Sequence, residues 1–191
     1  MEWKRNAITG RVAAGGNGAG NNSNQLNFPY DVIIDKKTDS FMISNSGNRT
    51  VVRWPRQNDQ HAETIISNVQ SFGLSMDDDG FLYIVDYEKH EVRRYRVGES
   101  EGTVVAGGTG SGERLDQLSC RRHVLVDGDC SLYVSDEGNR RVMKWMKGAE
   151  QGIFVAGEQG PRNPFASSLT PCSIFVDHLG TVYVMIVVII E

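Results

Sequence analysis

The chain has 191 residues, enough for one domain with a hydrophobic core, and its 39% hydrophobic and 23% charged residues are typical of a globular protein rather than a disordered one. Its net charge of −4 excludes a globally basic nucleic-acid binder, although a local basic patch stays open. Three cysteines with no C-x-x-C pair exclude a four-cysteine zinc site and argue against a disulfide framework.

The beginning of the chain has the features of the end of a repeat unit. Residues 1–16 hold Trp3 and an apolar run that starts at Val12 and ends in Gly-Gly, and we interpret them as the last two strands of a four-stranded unit. A fuller unit follows over residues 17–68. It consists of a Gly-rich polar stretch, the apolar run DVIID, a second run SFMIS, the motif SNSGNRTVVRW and a last run near Ile65.

Two further units repeat this order over residues 69–108 and 109–157, and residues 158–184 hold the first two runs of another. The first run of each unit ends in an aspartate: Asp35, Asp77, Asp127 and Asp177. The third run ends in an aromatic residue: Trp3, Trp54, Tyr95 and Trp145. Successive aspartates are 42, 50 and 50 residues apart and successive aromatics 51, 41 and 50, so two independent markers give the same repeat with a short second unit.

The runs themselves predict short β-strands. They are rich in Val, Ile, Phe, Tyr and Met, they are separated by Gly, Asp, Asn and Ser, and no segment shows a helical period. DDG at 78–80 and HLG at 178–180 stand where hairpin turns between first and second strands are expected. Four strands in about 40 to 50 residues make one β-propeller blade, so the sequence predicts an all-β propeller fold.

The blocks VVAGGTGSG, VLVDGDCSLYVSDEGNRRVMKW and FLYIVDYEKHEVRRY resemble NHL repeats, and the resemblance extends over residues 1–184. It implies a propeller of NHL-type four-stranded blades. The chain holds about four blade-equivalents where NHL propellers typically have six, so we expect a partial, open propeller. A compact four-bladed ring, closed by the two terminal half-blades, is the alternative. Residues 185–191 depart from the family pattern as an apolar tail, MIVVIIE, which in an open arc would be an aggregation-prone edge.

Residues that recur in register are interpreted as parts of the scaffold. Asn and Gly shape tight loops, the arginines are expected to pack between blades or to bond loop carbonyls, and the aromatics to pack between sheets. Arg49, His90 and Arg140 occupy equivalent positions. The full structural set is Asn48, Arg49, Trp54, His90, Tyr95, Asn139, Arg140 and Trp145.

The starts of the innermost strands differ between units, and in a propeller they surround one mouth of the central channel. Positions that vary within a repeat are free to encode recognition, whereas the alternative is that they simply drift. The candidate partner-binding residues at this channel mouth are Tyr30, Asp31, Phe72, Arg122, His123 and Ser173.

Known catalytic and cofactor motifs find little support. GGNGAG and GGTGSG lack the G-x-G-x-x-G pattern and the P-loop lysine and open no helix, which argues against phosphate binding. One aspartate and one histidine at the channel mouth are too few for a calcium or zinc site. Cys172 has no identifiable base. We therefore expect no cofactor and no catalytic constellation.

These observations predict a non-catalytic scaffold module that presents loop and channel-mouth residues to a protein partner. The NHL resemblance implies a substrate-recognition part such as NHL-type ubiquitin ligases contain, without the Cys/His set of a RING finger. Two alternatives stay open: an RNA-binding propeller and a propeller lyase or hydrolase with a channel metal. The positive residues open to the RNA alternative are Arg93, Arg94, Arg121, Arg122, Arg140, Arg141 and Lys144. We expect no DNA partner. The run Val182–Ile190 is too short to span a membrane, and without a signal peptide the cytoplasm is favoured.

Overall fold

The computed structural model describes residues 1–3, 5–57, 61–119, 123–157 and 169–188. Three antiparallel sheets of four strands and one of two strands follow one another along the chain, each a simple meander in sequence order. The first sheet has β1 (Pro29–Asp35), β2 (Ser40–Asn45), β3 (Thr50–Pro55) and β4 (Glu63–Ser67). The second has β5 (Ser71–Met76), β6 (Phe81–Asp86), β7 (Glu91–Arg96) and β8 (Thr103–Gly107).

The third sheet has β9 (Val124–Val126), β10 (Leu132–Asp136), β11 (Arg141–Trp145) and β12 (Ile153–Gly157). The last holds β13 (Leu169–Val176) and β14 (Val182–Val188). Short 3₁₀ turns, Ser46–Asn48 and Glu137–Asn139, join the second and third strands of the first and third sheets. Within the described ranges, no helix is long and apolar enough to cross a membrane.

The hydrophobic core lies between the sheets rather than within any one of them, because successive residues of a strand face opposite sides. Met42 of β2 packs with Leu74 and Leu82 of the second sheet. Its neighbour Ile43 points the other way and packs with Trp54 against the segment before β1. The second sheet is therefore covered on one face by the first sheet and on the other by the third.

The first strands of the sheets are also neighbours in space: β1 contacts β5, β5 contacts β9, and β9 contacts β13. This places the four innermost strands side by side around an arc, as in consecutive propeller blades. Apolar residues stay exposed at both ends of the arc, with Val32 and Ile34 on β1 and Phe175, Tyr183 and Met185 on the last sheet. The predicted all-β fold is confirmed, and the exposed ends favour the open arc over the closed four-bladed ring.

The structure differs from the sequence prediction at both termini. Instead of two strands before residue 17, there is a single antiparallel bridge between Glu2 and Arg11, and Trp3 is 60% exposed over Gly10. The tail predicted at 185–191 continues β14 as far as Val188, because its β-branched residues pair with β13 in register. Residues 189–191 lie outside the described part of the chain.

Candidate functional site

Three aromatic side chains meet at the channel mouth and connect the first two sheets. Tyr30, near the start of β1, lies edge-to-face on Phe72 of β5 with ring centroids 4.4 Å apart. Phe72 in turn lies 5.4 Å from Tyr87, which follows β6. Tyr87 escaped the sequence analysis because its position in the repeat is Ser46 in one unit and Glu137 in another. These contacts show that the starts of the first strands and the loops between the second and third strands lie on the same face of the arc.

Asp31 joins neighbouring sheets through its carboxylate. Its Oδ1 accepts the N–H of Val32 at 2.8 Å, and its Oδ2 accepts the N–H of Leu74 on the next sheet at 2.8 Å. His123 has the equivalent position in the third sheet and makes the equivalent link, because its Nδ1 accepts the N–H of Ile174 at 3.4 Å. Gly73, at this position in the sheet between them, has no side chain and leaves a gap in the ring of strand starts.

His123 is held firmly and is largely shielded from water. Its own N–H donates to the Oγ of Ser135 at 2.9 Å, and its carbonyl accepts the N–H of Ser135 at 3.0 Å. Burial lowers the pKa of its imidazole below the ordinary value of 6.5, and the charge of Asp31 opposes that shift in part. The ring is therefore neutral at neutral pH. Since Nδ1 accepts a hydrogen bond, the proton lies on Nε2.

The other predicted channel-mouth residues contribute less. Ser173 is half-buried beside a bulge of β13 that falls between Pro171 and Ser173. Within that bulge the Sγ of Cys172 donates to the carbonyl of Thr170 at 3.3 Å, a local contact. Arg122 lies outside the described residues. The structure thus brings Tyr30 and Phe72 into ring contact and sets Asp31 within electrostatic range of His123.

The repeated Arg/His position is defined by its left-handed backbone conformation. Arg49, His90 and Arg140 have φ values of 56°, 53° and 52°, because each turns the chain through the left-handed region before the third strand. The guanidinium of Arg49 pairs with the carboxylate of Glu88 on the next sheet. That pair is exposed on both sides, so solvent screens it and it contributes little to stability.

The recurring asparagines tie the Gly-rich loops to the sheets. Nδ2 of Asn48 donates to the carbonyl of Gly20 at 2.8 Å, and Nδ2 of Asn139 donates to that of Gly112 at 2.7 Å. The recurring aromatics are buried against the preceding unit: Trp54, Tyr95 and Trp145.

Arg141 bonds loop carbonyls, a role that the sequence analysis proposed for the neighbouring repeated position of Arg49 and Arg140. Its guanidinium pairs with the buried carboxylate of Asp136 at 2.7 Å. It also donates to three carbonyls of the preceding loop: Glu113, Arg114 and Gln117. Repeat alignment missed this residue because the position is not repeated.

Comparison with known proteins gives structural relatives only: no family model matches, and no curated protein does. A catalytically inactive His-to-Ala variant of virginiamycin B lyase from Staphylococcus aureus, with quinupristin, matches with a TM-score of 0.58 at 14% identity, over 83% of this chain and 48% of that one. A gluconolactonase from Xanthomonas campestris matches with a TM-score of 0.62 at 15% identity, over 92% and 57%.

The nidogen/laminin complex matches with a TM-score of 0.62 at 14% identity, over 79% of this chain and 53% of that one. All three are β-propeller proteins. This chain is a β-propeller protein. The propeller chain spans about half the length of the structures that it matches. At such low identity the likeness establishes the fold of this chain but not an activity.

The comparisons overturn the prediction of a non-catalytic scaffold. Virginiamycin B lyase and gluconolactonase, two of the propellers that this chain resembles in fold, are enzymes, whereas the sequence prediction was a non-catalytic module. The prediction that the propeller is not an enzyme was wrong for the same reason: it rested on the lack of a motif in sequence. Propeller strand starts come from different units, so a constellation built from them leaves no local spacing to find.

Proposed function

We propose that this propeller contributes the channel-mouth site of a lyase or hydrolase that acts on a small molecule. The observation that carries the proposal is His123: a shielded, neutral imidazole at a strand start, within electrostatic range of Asp31. A perturbed titratable group in a recess is a recurrent feature of active sites. A histidine is also the residue replaced in the inactive variant of virginiamycin B lyase.

In this proposal the role of His123 follows from its hydrogen bonds. Nδ1 is occupied by the N–H of Ile174, so Nε2 carries the proton and acts as the donor. A neutral imidazole that donates from Nε2 stabilises an oxygen on which negative charge develops during bond cleavage. The carboxylate of Asp31 is held by two backbone N–H groups, so its charge stays fixed beside the site and opposes in part the lowering of the imidazole pKa by burial.

The sequence alternative of a lyase or hydrolase included a channel metal, and the residues in place do not fit one. Within the described ranges, no group of three or more His, Cys, Asp and Glu side chains comes together to hold an ion. Asp31 already accepts two backbone hydrogen bonds, and Gly73 offers no ligand. We therefore route no step through a metal.

We also infer that the blades are of the NHL type. The support is the repeated Asp, Asn and aromatic set, in which Asn48 and Asn139 make the same bond to the loop before the first strand. Exchange of these two loops between units, measured by the melting temperature, would test the inference. Interchangeable units retain most of the stability, whereas unrelated ones unfold.

The experiment is a turnover assay with two probes, gluconolactone and quinupristin, on the purified chain. We expect His123→Ala to lower kcat/KM by roughly a hundredfold or more, which is the usual contribution of a positioned proton donor. His178→Ala is the matched control, because His178 is exposed in the turn between β13 and β14, outside the channel mouth.

Gluconolactone opens without a protein, so each rate is corrected by a buffer blank. Turnover that is equal in the chain, in His123→Ala and in His178→Ala would assign the reaction to another group. No turnover of either probe above the blank would refute the proposal for these substrate types.

A further inference from the structure

A polar cavity of about 470 Å³ lies between the Gly-rich loop of the first unit and the start of β3. It opens to solvent beside the exposed residues Asn21, Asn22 and Ser23. Its wall is built mainly from amides and backbone carbonyls, with Gln25, Asn27, Asn45, Asn48 and Thr50 among the lining residues. A single water occupies about 30 Å³ of liquid, so the space accommodates a larger group than one water.

The same place in the third unit is filled by one side chain of the protein. The guanidinium of Arg141 enters between loop and sheet, where its Nε donates to Asp136 at 2.7 Å. Its two terminal nitrogens donate to the carbonyls of Glu113 at 2.7 Å, Arg114 at 2.9 Å and Gln117 at 3.1 Å. Only 8% of the residue is exposed, so this is a close-fitting guanidinium site.

The two units share several hydrogen bonds around this site. In the first, Nε2 of Gln25 donates to the carbonyl of Asn17, and in the third Nε2 of Gln117 donates to that of Thr109. The asparagine bonds to Gly20 and Gly112 are equivalent as well. By this correspondence, the carbonyls of Asn21, Asn22 and Gln25 in the first unit are equivalent to the three carbonyls that Arg141 binds in the third.

Thr50 stands where the third unit has Arg141, and it is too short to reach these carbonyls. Its Oγ1 is buried and has no hydrogen-bond partner. Asn45 stands where the third unit has Asp136, and its Oδ1 accepts the N–H of Asn27 at 2.7 Å just as Asp136 accepts that of Ser119. The three backbone carbonyls of the guanidinium site are thus kept while the guanidinium is absent, and the amide of Asn45 replaces the carboxylate that accepts Arg141 Nε in the third unit.

We propose that this cavity binds the guanidinium group of a small-molecule ligand. A planar fork of N–H donors matches several carbonyls at once, whereas an ammonium is a compact point charge. Arg49 also lines the cavity, but its guanidinium is engaged with Glu88 on the next sheet, and that carboxylate offsets its charge. With Asn45 in place of a carboxylate, the site binds the cation mainly through its carbonyls.

Titration calorimetry with ethylguanidinium, and with ethylammonium as the matched probe, tests the proposal. We expect the wild-type chain to bind ethylguanidinium and to prefer it over ethylammonium. Asn45→Asp restores the carboxylate, and we expect it to tighten ethylguanidinium binding roughly tenfold, because charge-assisted hydrogen bonds are about twice as strong as neutral ones. Thr50→Arg fills the site from within, so it abolishes binding and raises the melting temperature.

Two further variants keep the result interpretable. Thr50→Met occupies the space without donors, and it weakens binding even if Thr50→Arg fails to fold. Thr103→Arg adds the same charge to the exposed start of β8, and it leaves binding unchanged. The proposal is overturned if ethylguanidinium binds neither the wild type nor Asn45→Asp, which would leave a water-filled cavity. It is also overturned if Thr50→Arg and Thr50→Met bind the probe as well as the wild type does.

Discussion

Replacing Arg141 by Met tests how the Gly-rich loop of the third unit is held to its sheet. The substitution keeps much of the apolar volume and removes every donor of the guanidinium. It leaves the carboxylate of Asp136, which is fully buried, without its counter-ion. That carboxylate keeps two donors, the N–H of Ser119 and the Nδ2 of Asn139.

The expected loss of stability can be worked from these contacts. Removal of one partner of a buried ion pair typically costs about 3–5 kcal/mol. Of the three carbonyls that lose Arg141, those of Glu113 and Arg114 belong to exposed residues that water reaches, and that of Arg114 also keeps the N–H of Gln117. Asp136 retains two hydrogen bonds. We therefore expect about 3 kcal/mol for Arg141→Met, at the lower end of that range. The double variant Arg141→Met/Asp136→Asn relieves the charge, and it should lose only about 1 kcal/mol.

Equilibrium unfolding in urea, followed by the fluorescence of buried Trp145, measures both values. Guanidinium chloride is unsuitable because its cation can occupy the emptied site. A loss below about 1 kcal/mol for Arg141→Met, or a double variant that is less stable than the single one, would refute this view of the pair.

Three other outcomes follow from the structure. Burial lowers the pKa of His123, so the unfolded state binds more protons than the folded state as the pH falls below the ordinary 6.5, and the free energy of unfolding decreases there. His123→Gln should reduce the difference in the free energy of unfolding between about pH 7.5 and pH 5, measured by urea unfolding. Gly107→Ala should lower the free energy of unfolding by about 1–3 kcal/mol, since φ is 68° and the added methyl would lie 2.5 Å from a carbonyl oxygen. Gly128→Ala places its methyl in open space, so its melting temperature should stay close to that of the wild type. Tyr183→Lys/Met185→Lys should reduce self-association in sedimentation velocity, because both side chains are exposed at the end of the arc. Unchanged sedimentation would show that this end does not self-associate.

The fold was predictable from the sequence because its signals are repeated. An aspartate at the end of each first strand, such as Asp77 or Asp177, accepts backbone N–H groups of the hairpin turn that follows, so its position fixes the strand ends. The aromatics at the ends of the third strands of the second and third sheets, Tyr95 and Trp145, pack against the preceding sheet. Such residues serve every unit in the same way, and their spacing shows the architecture.

The site was less predictable because its residues are the ones that are not repeated. Asp31 and His123 were found as variable strand starts, but the bonds from both to the next sheet exist only in three dimensions. Tyr87 and Arg141 were missed because their counterparts differ in type in the other units. The absence of a catalytic motif therefore said little about activity, and it led to the wrong prediction of a scaffold.

The central claim is that chemistry takes place at the channel mouth with His123 as the donor. Mass spectrometry of quinupristin and gluconolactone after incubation with the chain tests it most directly, because a lyase product keeps the mass of its substrate while a hydrolase product gains one water. The account predicts product of one of these masses from the wild type and from His178→Ala, and at least about a hundredfold less from His123→Ala. Product formed equally fast by His123→Ala would contradict it.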